Sequence, residues 1–313
     1  MTKNKPIKKS SPKKKAEPSV VIDNTKLQLI LAWEEVKQEY DKVLKKSAKN
    51  IKAQGFRQGK IPLKIAEEKL GRNRIINQVL ETLIPQKYQD LIKKEKKEPL
   101  TSPEVKPISI NWGQDWELEI QIAEKPIIKL DNYQKSIKKG LNIALKQLKE
   151  QKSQPTKDAK NKKEKPTKEQ TADQEREIKL QQIFKALVED TRPQIPELLL
   201  KEETKREIQR LAKELEKIGL SLDNYLAKRG QKFEEMSSQV AAQSLGQLQL
   251  EFVLEAIEQE QKIQVSKKDI EDELDKIKDE KVKKQIQNNH QYQHYLEAQI
   301  SRLKLLDFLL EVK

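Results

Sequence analysis

The 313-residue chain contains no cysteine, which excludes disulfides, thiolate nucleophiles and thiolate metal sites. Glycine occurs only 8 times and aromatic residues make up only 4%, so a turn-rich β architecture and a large aromatic core are both disfavoured. Methionine is limited to Met1 and Met236, so any adaptable apolar surface must be built from Leu, Ile and Phe. No apolar run approaches the roughly 18 residues that a membrane helix requires. Residues 1–18 are rich in Lys, Ser and Pro and lack the apolar stretch of a signal peptide, so a cytoplasmic location is expected. There is no glycine-rich nucleotide loop and no Ser/His/Asp grouping, and nothing orders the carboxylates of Asp269–Glu280 into an acid/base pair. The expectation is a protein without enzymatic activity and without a cofactor.

Histidine is equally scarce. His290 and His294 stand four apart, the spacing of a zinc pair on a helix, but Gln291-Tyr292-Gln293 between them lacks the Glu of the metalloprotease motif. No third ligand is suggested, and the pair reads as surface histidines rather than a metal site.

What the chain has in abundance is charge, 36% of residues, with a net +14. The excess is uneven: residues 1–18 contribute +6, 151–172 contribute +4, and Lys42–Lys64 contribute +8 with no acidic residue at all, leaving −4 for the remainder. Basicity gathered into two tracts and one patterned segment points to a polyanionic partner.

Residues 1–18 carry too little apolar surface to offset ordering entropy and read as a disordered basic tail. Val20–Leu31 alternates imperfectly and reads as a strand. From Trp33 to about Lys49 the period becomes helical, with Val36, Tyr40, Val43, Ser47 and Ile51 on one stripe and Lys42, Lys45, Lys46 and Lys49 opposite. Lys52 continues the basic run into Gly55-Phe56-Arg57-Gln58-Gly59-Lys60-Ile61-Pro62, where two glycines permit a tight loop and Pro62 can start the next helix. Helical patterns follow over Ile65–Leu70 and Ile75–Ile92, with Pro85 expected to break or bend the second. Val105–Ile110 and Trp116–Ile122 flank a turn-like Asn111-Trp112-Gly113-Gln114-Asp115 and read as a hairpin. Gln134–Lys149 reads as a helix, Gln151–Ala172 as a lysine-rich flexible linker, and everything beyond Asp173 as helix with narrow apolar stripes.

The stretch Trp33–Gly71, with Val36, Tyr40 and Leu44 leading into Gly55-Phe56-Arg57-Gln58-Gly59-Lys60-Ile61-Pro62, resembles the ribosome-binding domain of the trigger factor family of bacterial chaperones. Similarity continues in Leu83-Ile84-Pro85 with Tyr88, in Pro99 and Pro103, and in Pro126, Leu130 and Tyr133. In the second half, Pro196-Glu197, Gly219-Leu220-Ser221-Leu222, Val253-Leu254-Glu255-Ala256-Ile257 and Asp307-Phe308-Leu309-Leu310 are similar to that family's helical arm domain. The resemblance covers about residues 20–133 and 173–313. It departs from the family at Gln58, where a basic residue is usual, and in the 39 residues Gln134–Ala172, too few for the prolyl isomerase domain normally inserted there.

The resemblance therefore implies an α+β ribosome-binding domain over 19–133 and an elongated, mostly helical arm domain over 173–313, with 134–172 a helix plus linker. It implies ribosome contact through Gly55, Phe56, Arg57, Gln58, Gly59, Lys60 and the row Lys42, Lys45, Lys46, Lys49, Lys52. The implied partners are the tunnel-exit protein and RNA of the ribosome and unfolded nascent chains, with no membrane and with a weak homodimer admitted. The implied activity is ATP-independent chaperoning without isomerisation. Two rival readings stand beside it: an RNA- or ribosome-binding factor whose helical body is only structural, and a non-ribosomal holdase of the periplasmic helical type.

Overall fold

A computed structural model describes residues 19–52, 56, 61–153, 168–277, 282–283, 285–286 and 289–312. The basic tail 1–18 lies outside the described residues. The chain opens with β1 (Val21–Ile22) and β2 (Thr25–Leu31), followed by α1 (Trp33–Ala48), α2 (Leu63–Leu70) and α3 (Arg72–Glu95). The hairpin β3 (Glu104–Ser109) and β4 (Trp116–Ile122) comes next. Strand β4 is central in an antiparallel sheet of order β2-β4-β3. Its inward residues Trp116, Leu118, Ile120 and Ile122 are fully buried against Leu29, Leu31, Val36, Tyr40, Ile75 and Val79, so one sheet face is sealed by α1 and α3. Gly113 turns the hairpin with φ +86°, a conformation that costs other residues strain. Pro85 does not break α3, which runs through it as a single helix.

The second half is a helical body: α4 (Tyr133–Ser153), α5 (Lys168–Thr191), α6 (Glu197–Lys217), α7 (Leu222–Arg229), α8 (Phe233–Gln261), α9 (Lys267–Asp275) and α10 (His290–Glu311). Its cores combine Ile137, Ile183, Leu187, Val253, Leu254, Ile257, Leu305 and Leu309, and, nearer the sheet, Ala123, Ile195, Leu198, Leu199, Leu248 and Phe252. Ser266 caps α9 as its sequence suggests, its hydroxyl accepting from the Asp269 amide at 3.3 Å.

Three sequence expectations are corrected. Helix α4 extends to Ser153 and α5 begins at Lys168, so helix occupies both ends of the supposed linker 151–172, while 154–167 lie outside the described residues. The reason is the packing of α4 on α5, in which buried Ile137 and half-buried Leu141 share one core with Ile183 and Leu187. The backbones meet so closely that a Cβ on Gly140 would lie 2.6 Å from the Ile183 Cα. Beyond Asp173 the chain is not wholly helical either, because β5 (Ile195–Pro196) pairs in parallel with β1. Finally, α1 ends at Ala48 with Lys49 as C-cap, close to the expected end, and its buried residues are Val36, Tyr40, Val43, Leu44 and Ala48; Ile51 packs against the same core from beyond the helix rather than from its stripe.

Candidate functional site

Helix α1 positions the predicted basic row. It starts directly after β2 with Ala32 at its N-cap, which has no side-chain acceptor to offer. Asp115 from the hairpin turn serves instead, accepting the Trp33 amide at 2.8 Å. With the apolar stripe buried, Lys42, Lys45, Lys46 and Lys49 are all exposed on the opposite side, and Lys52 is exposed beyond the helix end. Lys45 and Lys46 lie in the last turn, where cations offset the helix dipole. Lys42 is partly neutralised by Glu39 at 3.2 Å, a pairing the charge count alone did not expose. Of the loop residues, Phe56 is 42% exposed, while Gly55, Arg57, Gln58, Gly59 and Lys60 lie outside the described residues.

The ends of this segment are tied by contacts that the sequence did not foretell. The Tyr40 hydroxyl donates to Glu67 Oε1 on α2 at 2.8 Å, and Arg72 Nε donates to the same oxygen at 3.2 Å. Burial, the hydrogen bond to Glu67 and that carboxylate's charge push the Tyr40 hydroxyl up to about 12. Lys69 donates to the Lys52 carbonyl at 3.2 Å. Trp112 of the hairpin turn, 51% exposed, sets its ring edge-on to Trp33 at 4.6 Å and to Tyr40 at 5.0 Å, with the Arg72 guanidinium 5.0 Å from its centroid. A tryptophan in the middle of a polar turn was the available sign. This clasp locks α1, α2 and the hairpin together at the root of the loop.

Two apolar recesses mark the helical body. One, of about 480 Å³, runs between α6 and α8 and is lined by Leu200, Thr204, Ile208, Phe233 and Ala241, with Phe233 left 49% exposed. The other, of about 580 Å³, lies against the start of α10 and is lined by Val282, Ile286, Tyr292, Tyr295 and Leu296. Both are shallow and open, suited to apolar side chains rather than to a small polar ligand. His290 and His294 stack at 4.6 Å, and His294 Nδ1 lies 3.3 Å from Glu297. Among the described residues no group of three or more His, Cys, Asp or Glu is arranged to hold a metal ion. Nor is any described helix long and apolar enough to cross a membrane.

Comparisons with known proteins identify the family and the fold. The N-terminal family model of the bacterial trigger factor protein matches residues 15–140, and the C-terminal family model matches 156–311. The chain belongs to the trigger factor family. The trigger factor of Streptococcus pneumoniae strain JJA is 30% identical over 107 residues, which cover 34% of this chain and 25% of the relative. That of Streptococcus gordonii is 29% identical over 124 residues, 40% of this chain and 28% of the relative. The chain thus aligns with only about a quarter of the length of these relatives. A solved structure titled for promiscuous substrate recognition by the trigger factor chaperone superposes with a TM-score of 0.55 at 16% identity, covering 96% of this chain and 99% of the other. That likeness establishes a trigger factor fold, small sheet and long helical body included.

Proposed function

We propose that this trigger factor family member is an ATP-independent chaperone that docks on the ribosome and shields emerging polypeptides. The head, residues 19–133, docks by the surface from Lys42 to Lys64, and the helical body holds client chains. The single observation that carries the reading is the row of exposed lysines Lys42, Lys45, Lys46 and Lys49 along the second half of α1 and its C-cap, followed in sequence by the exposed Phe56. The lysine row supplies salt-sensitive attraction to ribosomal RNA. Arg57 can form bidentate bonds to phosphate or carboxylate, and Phe56 packs into a crevice of a tunnel-exit protein. Gln58 cannot contribute a phosphate contact of the kind a basic residue makes, and Lys60 and the helix lysines compensate. Client segments settle in the α6–α8 recess and beside α10 through weak, sequence-tolerant apolar contacts. Release then needs no nucleotide, and docking raises the effective concentration of chaperone beside the nascent chain.

The two family models leave only residues 141–155 between them, which supports a chaperone that acts without a prolyl isomerase domain inserted between its halves. Its place of action is the cytoplasm.

The test is co-sedimentation with bacterial ribosomes across a salt series, comparing wild type with Phe56→Ala/Arg57→Ala/Gln58→Ala. Pelleting of wild type but not of the triple variant supports docking by the loop. Equal pelleting of both, removed together by salt, assigns binding to nonspecific basic tracts. Failure of wild type to pellet at low salt sinks ribosome docking and leaves a free holdase.

A further inference from the structure

Helix α6 has an uncapped root. Its N-cap is Pro196, which offers no side-chain acceptor, so the first-turn amides depend on outside partners. One partner comes from 174 residues earlier in the chain: Asn24 Oδ1 accepts the Leu198 amide at 2.7 Å. The other end of the same side chain faces the head, where Asn24 Nδ2 donates at 3.3 Å to Oε1 of Gln121, a buried residue of the central strand β4. Around this bracket the Ile195 amide donates to the Val20 carbonyl at 2.9 Å, Gln194 donates to the Ser19 carbonyl at 3.2 Å, and β1 pairs with β5. Ala123, the residue after β4, is buried among Ile195, Leu198, Leu199, Leu248 and Phe252. Lys201 reaches Glu104 of β3 at 3.2 Å.

We propose that Asn24 is a positioning residue that couples the sheet of the head to the root of α6, and so sets where the α6–α8 recess stands relative to the basic docking face. Helix α6 spans 21 residues, about 31 Å at 1.5 Å per residue. A tilt of about 10° between head and body therefore moves residues near Lys213 by about 4 Å. The recess is lined by Glu197 and Leu200 on either side of the bracketed Leu198 amide, so its wall inherits whatever orientation the bracket imposes. The coupling itself stands on geometry alone; only its consequence for client capture rests on reading the recess as a client surface.

The chain has no native cysteine, so two spin labels can be placed without background. We would label Asp90→Cys on α3 with Lys213→Cys on α6 to report head against body. Lys213→Cys with Gln243→Cys on α8 serves as a control within the body. The unmodified bracket should give one narrow head–body distance distribution. Asn24→Ala should broaden it by about 4 Å, leave the control pair unchanged, and speed exchange of the Leu198 amide about fivefold. Gln121→Leu, which removes only the head-side partner, should broaden the head–body distribution while Leu198 exchange stays at the wild-type rate. That split is not expected of general destabilisation. A head–body distribution in Asn24→Ala as narrow as wild type, with the control pair intact, overturns the proposal, and so does a broad distribution in the wild type. If Asn24→Ala disturbs the control pair, Gln121→Leu decides alone. The client reading is judged separately: Phe233→Ser in an intact bracket should weaken suppression of client aggregation, and no weakening rejects the recess without touching the coupling.

Discussion

Replacing Gly140 by Ala tests the packing of α4 on α5 with a sign that ordinary helix propensity cannot produce. Gly140 lies inside a helix, where Ala is favoured over Gly by about 1 kcal/mol. In open space the substitution should therefore stabilise. Here the added Cβ would stand 2.6 Å from the Ile183 Cα, 2.7 Å from the Gln182 carbonyl oxygen and 2.8 Å from the Ile183 nitrogen. All three are backbone atoms, which cannot rotate aside, so relief requires the helices to part by roughly 1 Å. A gap of that size forfeits a quarter to a half of the dispersion energy of the contacts it opens. Those contacts involve buried Ile137, Ala144, Ile183 and Leu187. Overpacking of this kind costs about 1–3 kcal/mol, which cancels or outweighs the propensity gain of about 1 kcal/mol and leaves a net loss of up to about 2 kcal/mol for Ala. Gly246 in α8 supplies the matched control, since nothing lies within 4 Å of the point its Cβ would occupy. Gly246→Ala should raise stability by up to about 1 kcal/mol. Urea unfolding followed by far-ultraviolet circular dichroism reads both midpoints. If the two substitutions stabilise alike, α4 and α5 are not in backbone contact, and the region between the two family-matched halves is a loose connection after all.

Further outcomes follow from named contacts. Asp115→Ala leaves the α1 N-terminus without its surrogate cap and should cost about 1 kcal/mol in the same assay, with ribosome affinity reduced because the lysine row frays from its root. Asp269 is held well below the usual carboxylate range by the Lys304 ammonium at 2.5 Å and by Ser266. Because the folded value is depressed, the stabilisation is complete above the unfolded carboxyl's value of about 3.9 and is lost as the pH falls below it. The stability difference between wild type and Asp269→Asn should thus be constant from pH 7 to 5 and shrink below about pH 4; a difference that grows on acidification refutes the pairing. Phe233→Ser together with Leu200→Ser should reduce suppression of client aggregation while changing stability by about 1 kcal/mol or less for the half-exposed Phe233.

Local periodicity makes much of this protein legible from its residues alone. The alternation in Trp116–Ile122 marks a strand with one sealed face, and the three- and four-residue spacing from Val36 to Leu44 marks a helix whose opposite side must carry its lysines to water. The absence of acidic residues from Lys42 to Lys64 identifies the candidate docking face as a property of composition, which folding could only present or hide. Caps written within four residues, as in Ser266 and Asp269, are equally readable. What depends on residues distant in sequence is not. No local pattern reveals that Asp115 caps a helix 82 residues earlier, that Tyr40, Glu67, Arg72 and Trp112 close on one another, or that Asn24 caps α6. Gly140 reads as an ordinary interior glycine until a second helix is laid against it, and the two-residue strands β1 and β5 are too short to carry a period at all. The sequence by itself determined which faces are apolar and which are charged, because those depend only on neighbours one or two turns away. Only the tertiary structure decided which distant groups complete each helix end and where head meets body, because those contacts exist only when separate segments are brought together.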